Sequence, residues 1–114
     1  MPRFLRPYCT VMEAPSFVAA AAKIFTEQEL IDLFDVLSTT PEAGVLISGS
    51  GGIRKFRWGR GQTGKRGGAR VVYFYRQRDM VILLLGAYAK NQKSDLTARE
   101  AATFRKIVEE FCSE

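Results

Sequence analysis

The chain has 114 residues, with 17 Lys+Arg against 12 Asp+Glu, a formal net charge of +5 and no histidine. That length fits one domain over residues 1–114, and a composition of 46% apolar and 25% charged residues excludes a disordered chain. Lack of histidine removes the commonest metal ligand and the one side chain whose unperturbed pKa lies near neutrality, so no metal or other cofactor is expected and catalysis must proceed without imidazole.

In chain order, Thr10-Val11-Met12 reads as a first strand, and Pro15 with Ser16 opens a helix running to about Phe25. Thr26 and Glu29 form a capping box, followed by Leu30, Ile31, Leu33, Phe34 and Leu37 at helical spacing, which predicts a second amphipathic helix ending near Ser38. After the turn at Pro41 to Gly44 comes a brief extended piece, Val45-Leu46-Ile47, and then the glycine-rich Gly49-Ser50-Gly51-Gly52. No phosphate loop is read there or at Gly59 to Lys65, because neither stretch carries the full G-x-x-x-x-G-K-[ST] pattern. Strands follow at Ile53 to Trp58 and Arg70 to Arg76, joined by a basic, glycine-rich loop from Gly59 to Ala69. Met80 to Tyr88 is a nearly continuous apolar run, expected as a central strand buried on both faces. A second capping box, Thr97 with Glu100, starts a last helix to about Phe111, whose apolar stripe is Ala101, Phe104, Ile107, Val108 and Phe111. The order β-α-α-β-β-β-α predicts an α+β fold, a small and mainly antiparallel sheet with helices packed on one face.

Cys9 and Cys112 lie near opposite ends without C-x-x-C spacing, which suits a reducing cytoplasm better than a disulfide scaffold. The longest apolar run, Met80 to Ala89, is too short to cross a bilayer, and Pro7, Glu13 and Pro15 interrupt the N-terminal stretch. A cytoplasmic protein with no secretion signal and no membrane partner is expected.

The charge is unevenly placed. Arg54, Lys55, Arg57, Arg60, Lys65, Arg66, Arg70, Arg76 and Arg78 are nine positive charges in a segment with no acidic residue, set in an acidic remainder. Uncompensated cations repel one another unless a polyanion accepts them, so nucleic acid or an acidic protein is the expected partner. Strand alternation puts Lys55 and Arg57 on one face with Ile53, and Arg54, Phe56 and Trp58 on the other.

Three stretches carry a family resemblance: Gly51-Gly52-Ile53-Arg54-Lys55-Phe56-Arg57, Gly64 to Phe74, and Tyr88-Ala89-Lys90-Asn91-Gln92-Lys93-Ser94-Asp95-Leu96-Thr97. In these, and in the order of elements from Val11 to Phe111, the chain resembles the RelE/HigB toxins of bacterial type II toxin–antitoxin systems. The resemblance implies a RelE/ParE-like fold and a ribosome-dependent mRNA endonuclease that inhibits translation. It also implies neutralisation by a cognate antitoxin of helix-turn-helix type, and operator DNA binding through the toxin–antitoxin complex.

RNA carries its own nucleophile, the 2′-hydroxyl, so a metal-independent nuclease needs orientation, charge neutralisation and proton transfer, which lysine and arginine can supply. Lys55 is the candidate general base, since neighbouring arginines disfavour its charged form. Arg57 and Arg70 are candidate phosphate and transition-state clamps, and Lys90 a support for the leaving 5′-oxygen or the scissile phosphate. Arg60, Lys65 and Arg66 suit RNA gripping, while Tyr88 and Tyr73 are candidates for stacking on bases or orienting the 2′-hydroxyl. Some relatives have a histidine or an acidic–aromatic cluster in the site and others a C-terminal tyrosine; this chain has no histidine and no aromatic residue between Tyr88 and Phe104, so the leaving-group proton donor stays unassigned. Two other functions fit the same cations: a non-catalytic antitoxin- and nucleic-acid-binding module acting in operator repression, and a ParE-like inhibitor of DNA gyrase.

Overall fold

A computed structural model describes residues 8–59 and 68–113. The elements are β1 (Thr10–Glu13), α1 (Pro15–Ile24), α2 (Glu27–Thr39), β2 (Val45–Leu46), β3 (Ile53–Trp58), β4 (Ala69–Arg76), a 3-10 turn (Gln77–Asp79), β5 (Val81–Ala89) and α3 (Ala98–Cys112). The strands form one sheet in the order β1-β5-β4-β3-β2, antiparallel except for the β1–β5 pair. Both capping boxes form: Thr26 Oγ1 accepts from the Glu29 N–H and Thr97 Oγ1 from the Glu100 N–H, each at 3.1 Å. The α+β class and the β3–β4–β5 meander stand as expected.

The helices, however, divide between the two faces of the sheet. Phe17 and Ala21 of α1, with Leu33 and Leu37 of α2, pack with Val71, Tyr73, Ile82 and Leu84. Phe104, Val108 and Phe111 of α3 pack with Ile53, Val72, Leu83 and Leu85. The reason is the composition of β5: with apolar side chains on both sides, Leu84 and Leu85 being fully buried, it needs cover above and below. The expectation of helices on one face is therefore corrected. Cys9 is buried and Cys112 exposed, and both are free thiols. No described helix is long and apolar enough to cross a membrane.

Strand register decides which side chains meet on each face. Arg57 lies opposite Arg70, which lies opposite Tyr88, and Lys55 lies opposite Val72 in the neighbouring row. A register shift between Val72 and Tyr73 leaves Leu85 as an extra residue in β5. This bulge turns Tyr88 to the face shared with Arg70; unbroken alternation from Leu83 would have sent it to the opposite one.

Candidate active site

The far side of β3 is committed to packing, which frees the near side for charge. Trp58 stacks on Phe56 with ring centroids 5.8 Å apart and donates Nε1–H to the Glu29 carbonyl at 3.1 Å. Arg54 donates to the carbonyls of Gly44 at 2.7 Å and Glu42 at 3.2 Å, so it braces the α2–β2 turn. Arg76 is also structural: it donates to the Phe111 carbonyl at 2.6 Å, pairs with Asp79 at 2.8 Å and lies 3.8 Å from the Phe111 ring centroid.

On the near side, Arg57, Arg70 and Tyr88 form a row across three neighbouring strands, with Lys55 one step along β3. Arg57 is exposed, Lys55 and Arg70 are half-buried, and Tyr88 is buried. Like charges placed directly opposite on a sheet destabilise it. Arg57 against Arg70 is therefore an arrangement suited to a ligand with negative charge. Lys90 follows β5; its N–H donates to the Gly68 carbonyl at 3.1 Å and its ammonium to the Ser94 carbonyl at 3.3 Å. Arg60, Lys65 and Arg66 lie outside the described residues, as does most of the basic loop that carries them.

Asp95 is a site residue that sequence reasoning missed. It reaches from the β5–α3 connection to Lys55, whose ammonium donates to Oδ1 at 3.2 Å, and Oδ1 also accepts the Leu96 N–H at 2.8 Å. The Leu96 N–H and then Lys55 hold its carboxyl below the usual aspartate value. A depressed carboxyl keeps its ion pair above the usual titration range and loses it as pH falls, so the tether is intact at neutral pH. This carboxylate offsets the like-charge repulsion that singled out Lys55 as a base. The pairing joins residues 40 apart in the chain, and no local spacing in the sequence announces it. Only the acidic residue within the Tyr88 to Thr97 stretch hinted at it.

Two tyrosines part company. Tyr73 is fully buried with α1 and α2, and its hydroxyl donates to the Pro41 carbonyl and accepts the Gly44 N–H, both at 2.8 Å. Burial pushes that hydroxyl's pKa up. Tyr73 thus cannot stack on a base; it is a strut between β4 and the α2–β2 turn, which corrects its assignment to RNA binding. Tyr73→Phe is expected to lower stability by about 1–3 kcal/mol by leaving the Gly44 N–H unsatisfied, with no direct effect at the cationic face. A denaturant midpoint beside an activity assay checks this. Tyr88 does border the face: its hydroxyl is buried with no hydrogen bond of good geometry, and the Asp95 carboxylate is the group it interacts with. Its pKa is raised by burial first and the Asp95 charge next, with Arg70 opposing.

Lys93 lies 5.3 Å from the Tyr88 ring centroid and pairs with Glu100 at 2.6 Å, holding that carboxyl low. A cleft of about 320 Å³ between α1, β5 and α3 borders Tyr88, Lys93 and Glu100 but not Lys55, Arg57 or Arg70. The cationic row thus lies outside that cleft, with Arg57 exposed and Lys55 and Arg70 half-buried. Among the described residues, no group of three or more cysteine and carboxylate side chains converges to hold a metal.

Comparison with known proteins bears on the fold and the family. The fold is similar to that of an arginine-to-alanine double mutant of E. coli toxin RelE in the free state, with a TM-score of 0.60 at 16% identity over 86% of this chain and 97% of that one. Residues 39–113 match the family described as the RelE toxin of the RelE/RelB toxin–antitoxin system. That span takes in β2 to β5 and α3, and with them every described residue of the cationic face. The chain belongs to the RelE toxin family of toxin–antitoxin systems.

Proposed function

We propose that this toxin is a ribosome-dependent mRNA endonuclease that blocks translation in the cytoplasm until a cognate antitoxin neutralises it. The observation that carries the reading is the register-aligned row of Arg57, Arg70 and Tyr88 with Lys55 alongside. A binding module could spread its cations; here two arginines occupy one register position on neighbouring strands, where both can grip one phosphate. Arg57 and Arg70 clamp the scissile phosphate and the charge that develops on it. Lys90 serves the leaving 5′-oxygen, and Lys55 stands where the 2′-hydroxyl loses its proton. Arg60, Lys65 and Arg66 add phosphate contacts along the RNA. The antitoxin partner follows from the family; a helix-turn-helix antitoxin that carries the complex to operator DNA completes the reading.

Expression without an antitoxin is expected to arrest growth, and a purified translation reaction given the toxin is expected to yield new mRNA 5′ ends at codon-spaced positions. Arrest without new ends would overturn the nuclease reading, and altered plasmid supercoiling in its place would favour gyrase as target.

A further inference from the structure

The proton acceptor in such a reaction needs a lone pair, and Lys55 is engaged as the cationic donor of an ion pair whose acceptor, the Asp95 carboxylate, carries several. We propose that Asp95 accepts the 2′-hydroxyl proton, with Lys55 holding the carboxylate in place; this rests on the nuclease reading above. Lys55 and Leu96 both donate to Oδ1 and the Tyr88 hydroxyl also acts on the carboxylate, so a substrate proton goes to the lone pairs that these donors leave open. Glu100, which like Tyr88 borders the neighbouring cleft, is engaged: it accepts from Lys93 through both oxygens.

The pose follows from the clamp. In a reactive arrangement the 2′-oxygen lies about 3–3.5 Å from the phosphorus. With the phosphate on Arg57, Arg70 and Lys55, a carboxylate bonded to that same lysine lies beside this oxygen. Substrate also strengthens the base. In the free protein Asp95 is held ionised by Leu96 and Lys55. An arriving phosphate draws on the Lys55 charge, adds a like charge and excludes water, and each of these raises the carboxyl's proton affinity.

In the step, Asp95 takes the 2′-hydroxyl proton as the 2′-oxygen bonds to phosphorus and the bond from phosphorus to the 5′-oxygen breaks. The Lys90 ammonium gives its proton to the 5′-oxygen. The products are a 2′,3′-cyclic phosphate and a 5′-hydroxyl, and Asp95 and Lys90 then exchange protons with water to reset.

Asp95→Asn tests this, because the amide oxygen can still accept from Leu96 and Lys55 but cannot act as a base. In single-turnover cleavage on programmed ribosomes, the expected result is a rate lower by about 10²–10⁴-fold at saturation with little change in half-saturating concentration. Asp95→Glu, which keeps a carboxylate, should retain part of the rate. Asp95→Asn cutting as fast as wild type, or Asn and Glu variants losing the rate equally, would overturn the assignment. Wild-type protein that cuts nothing would overturn the nuclease reading as well, and that outcome is read from a separate arm. Since an exposed ion pair contributes only about 0–1 kcal/mol, both variants are expected to fold, and a thermal melt verifies it.

Discussion

Arg70→Ala is expected to lower mRNA cleavage by about 10²–10³-fold in kcat, the usual cost of removing one well-placed donor to a developing oxyanion. Arg70 occupies the middle of the row, between Arg57 on β3 and Tyr88 on β5. Its removal takes away the cation placed between those two neighbours, while Lys55 and Asp95 keep their own contact. The fold is expected to tolerate the change, because Arg70 is half-buried rather than part of the core. Lysine at the same position retains the charge but loses the two-pronged grip, so Arg70→Lys should fall between wild type and alanine. Cleavage at saturating toxin, measured beside a melting curve, separates lost chemistry from lost structure. A folded Arg70→Ala protein with wild-type kcat would remove Arg70 from the site.

Phe104→Ala is expected to destabilise the fold by about 3–5 kcal/mol, a large part of the roughly 5–15 kcal/mol that holds a small domain together. Phe104 is 8% exposed and packs with Leu85 and Val108. Its ring fits over Gly86, where a Cβ would come within 2.6 Å of Cζ, so a side chain at that glycine would have to displace the ring. The alanine variant leaves a cavity above β5 that neighbouring side chains fill only in part. The effect reaches the site, because α3 starts just after the connection carrying Lys90, Lys93 and Asp95. A urea denaturation series should show a lower midpoint at unchanged slope. A midpoint shift worth less than about 1 kcal/mol would mean that α3 contributes little to this face, against the cost expected for a buried aromatic ring.

Local rules explain why much of this was readable from the sequence. Thr26 with Glu29 and Thr97 with Glu100 set helix starts by hydrogen bonds confined to four residues. The alternation in Ile53 to Trp58 separated Lys55 and Arg57 from Phe56 and Trp58, and the two sets do face apart. What escaped the sequence depends on contacts between distant residues. The extra residue at Leu85 decides which face Tyr88 joins, yet it shows only in the pairing with β4. Tyr73 and Tyr88 look alike in an apolar strand; one is a buried strut and the other borders the charge, because α1 and α2 cover one face and α3 the other. Arg54 and Arg76 counted toward a basic patch, although carbonyls and Asp79 engage them. Asp95 meets Lys55 from 40 residues away, a contact fixed by where β5 ends rather than by spacing.

The central claim is that lysine, arginine and one carboxylate promote attack by the RNA's own 2′-hydroxyl, without imidazole. Its most direct test is end-group analysis of mRNA cut on the ribosome by the wild-type toxin, with and without a single 2′-deoxyribose on the 5′ side of the cut. The account predicts 5′-hydroxyl and 2′,3′-cyclic phosphate ends on the all-ribose message and no cut at the deoxy position. Fragments with 5′-phosphates, or equal cutting of both messages, would contradict it.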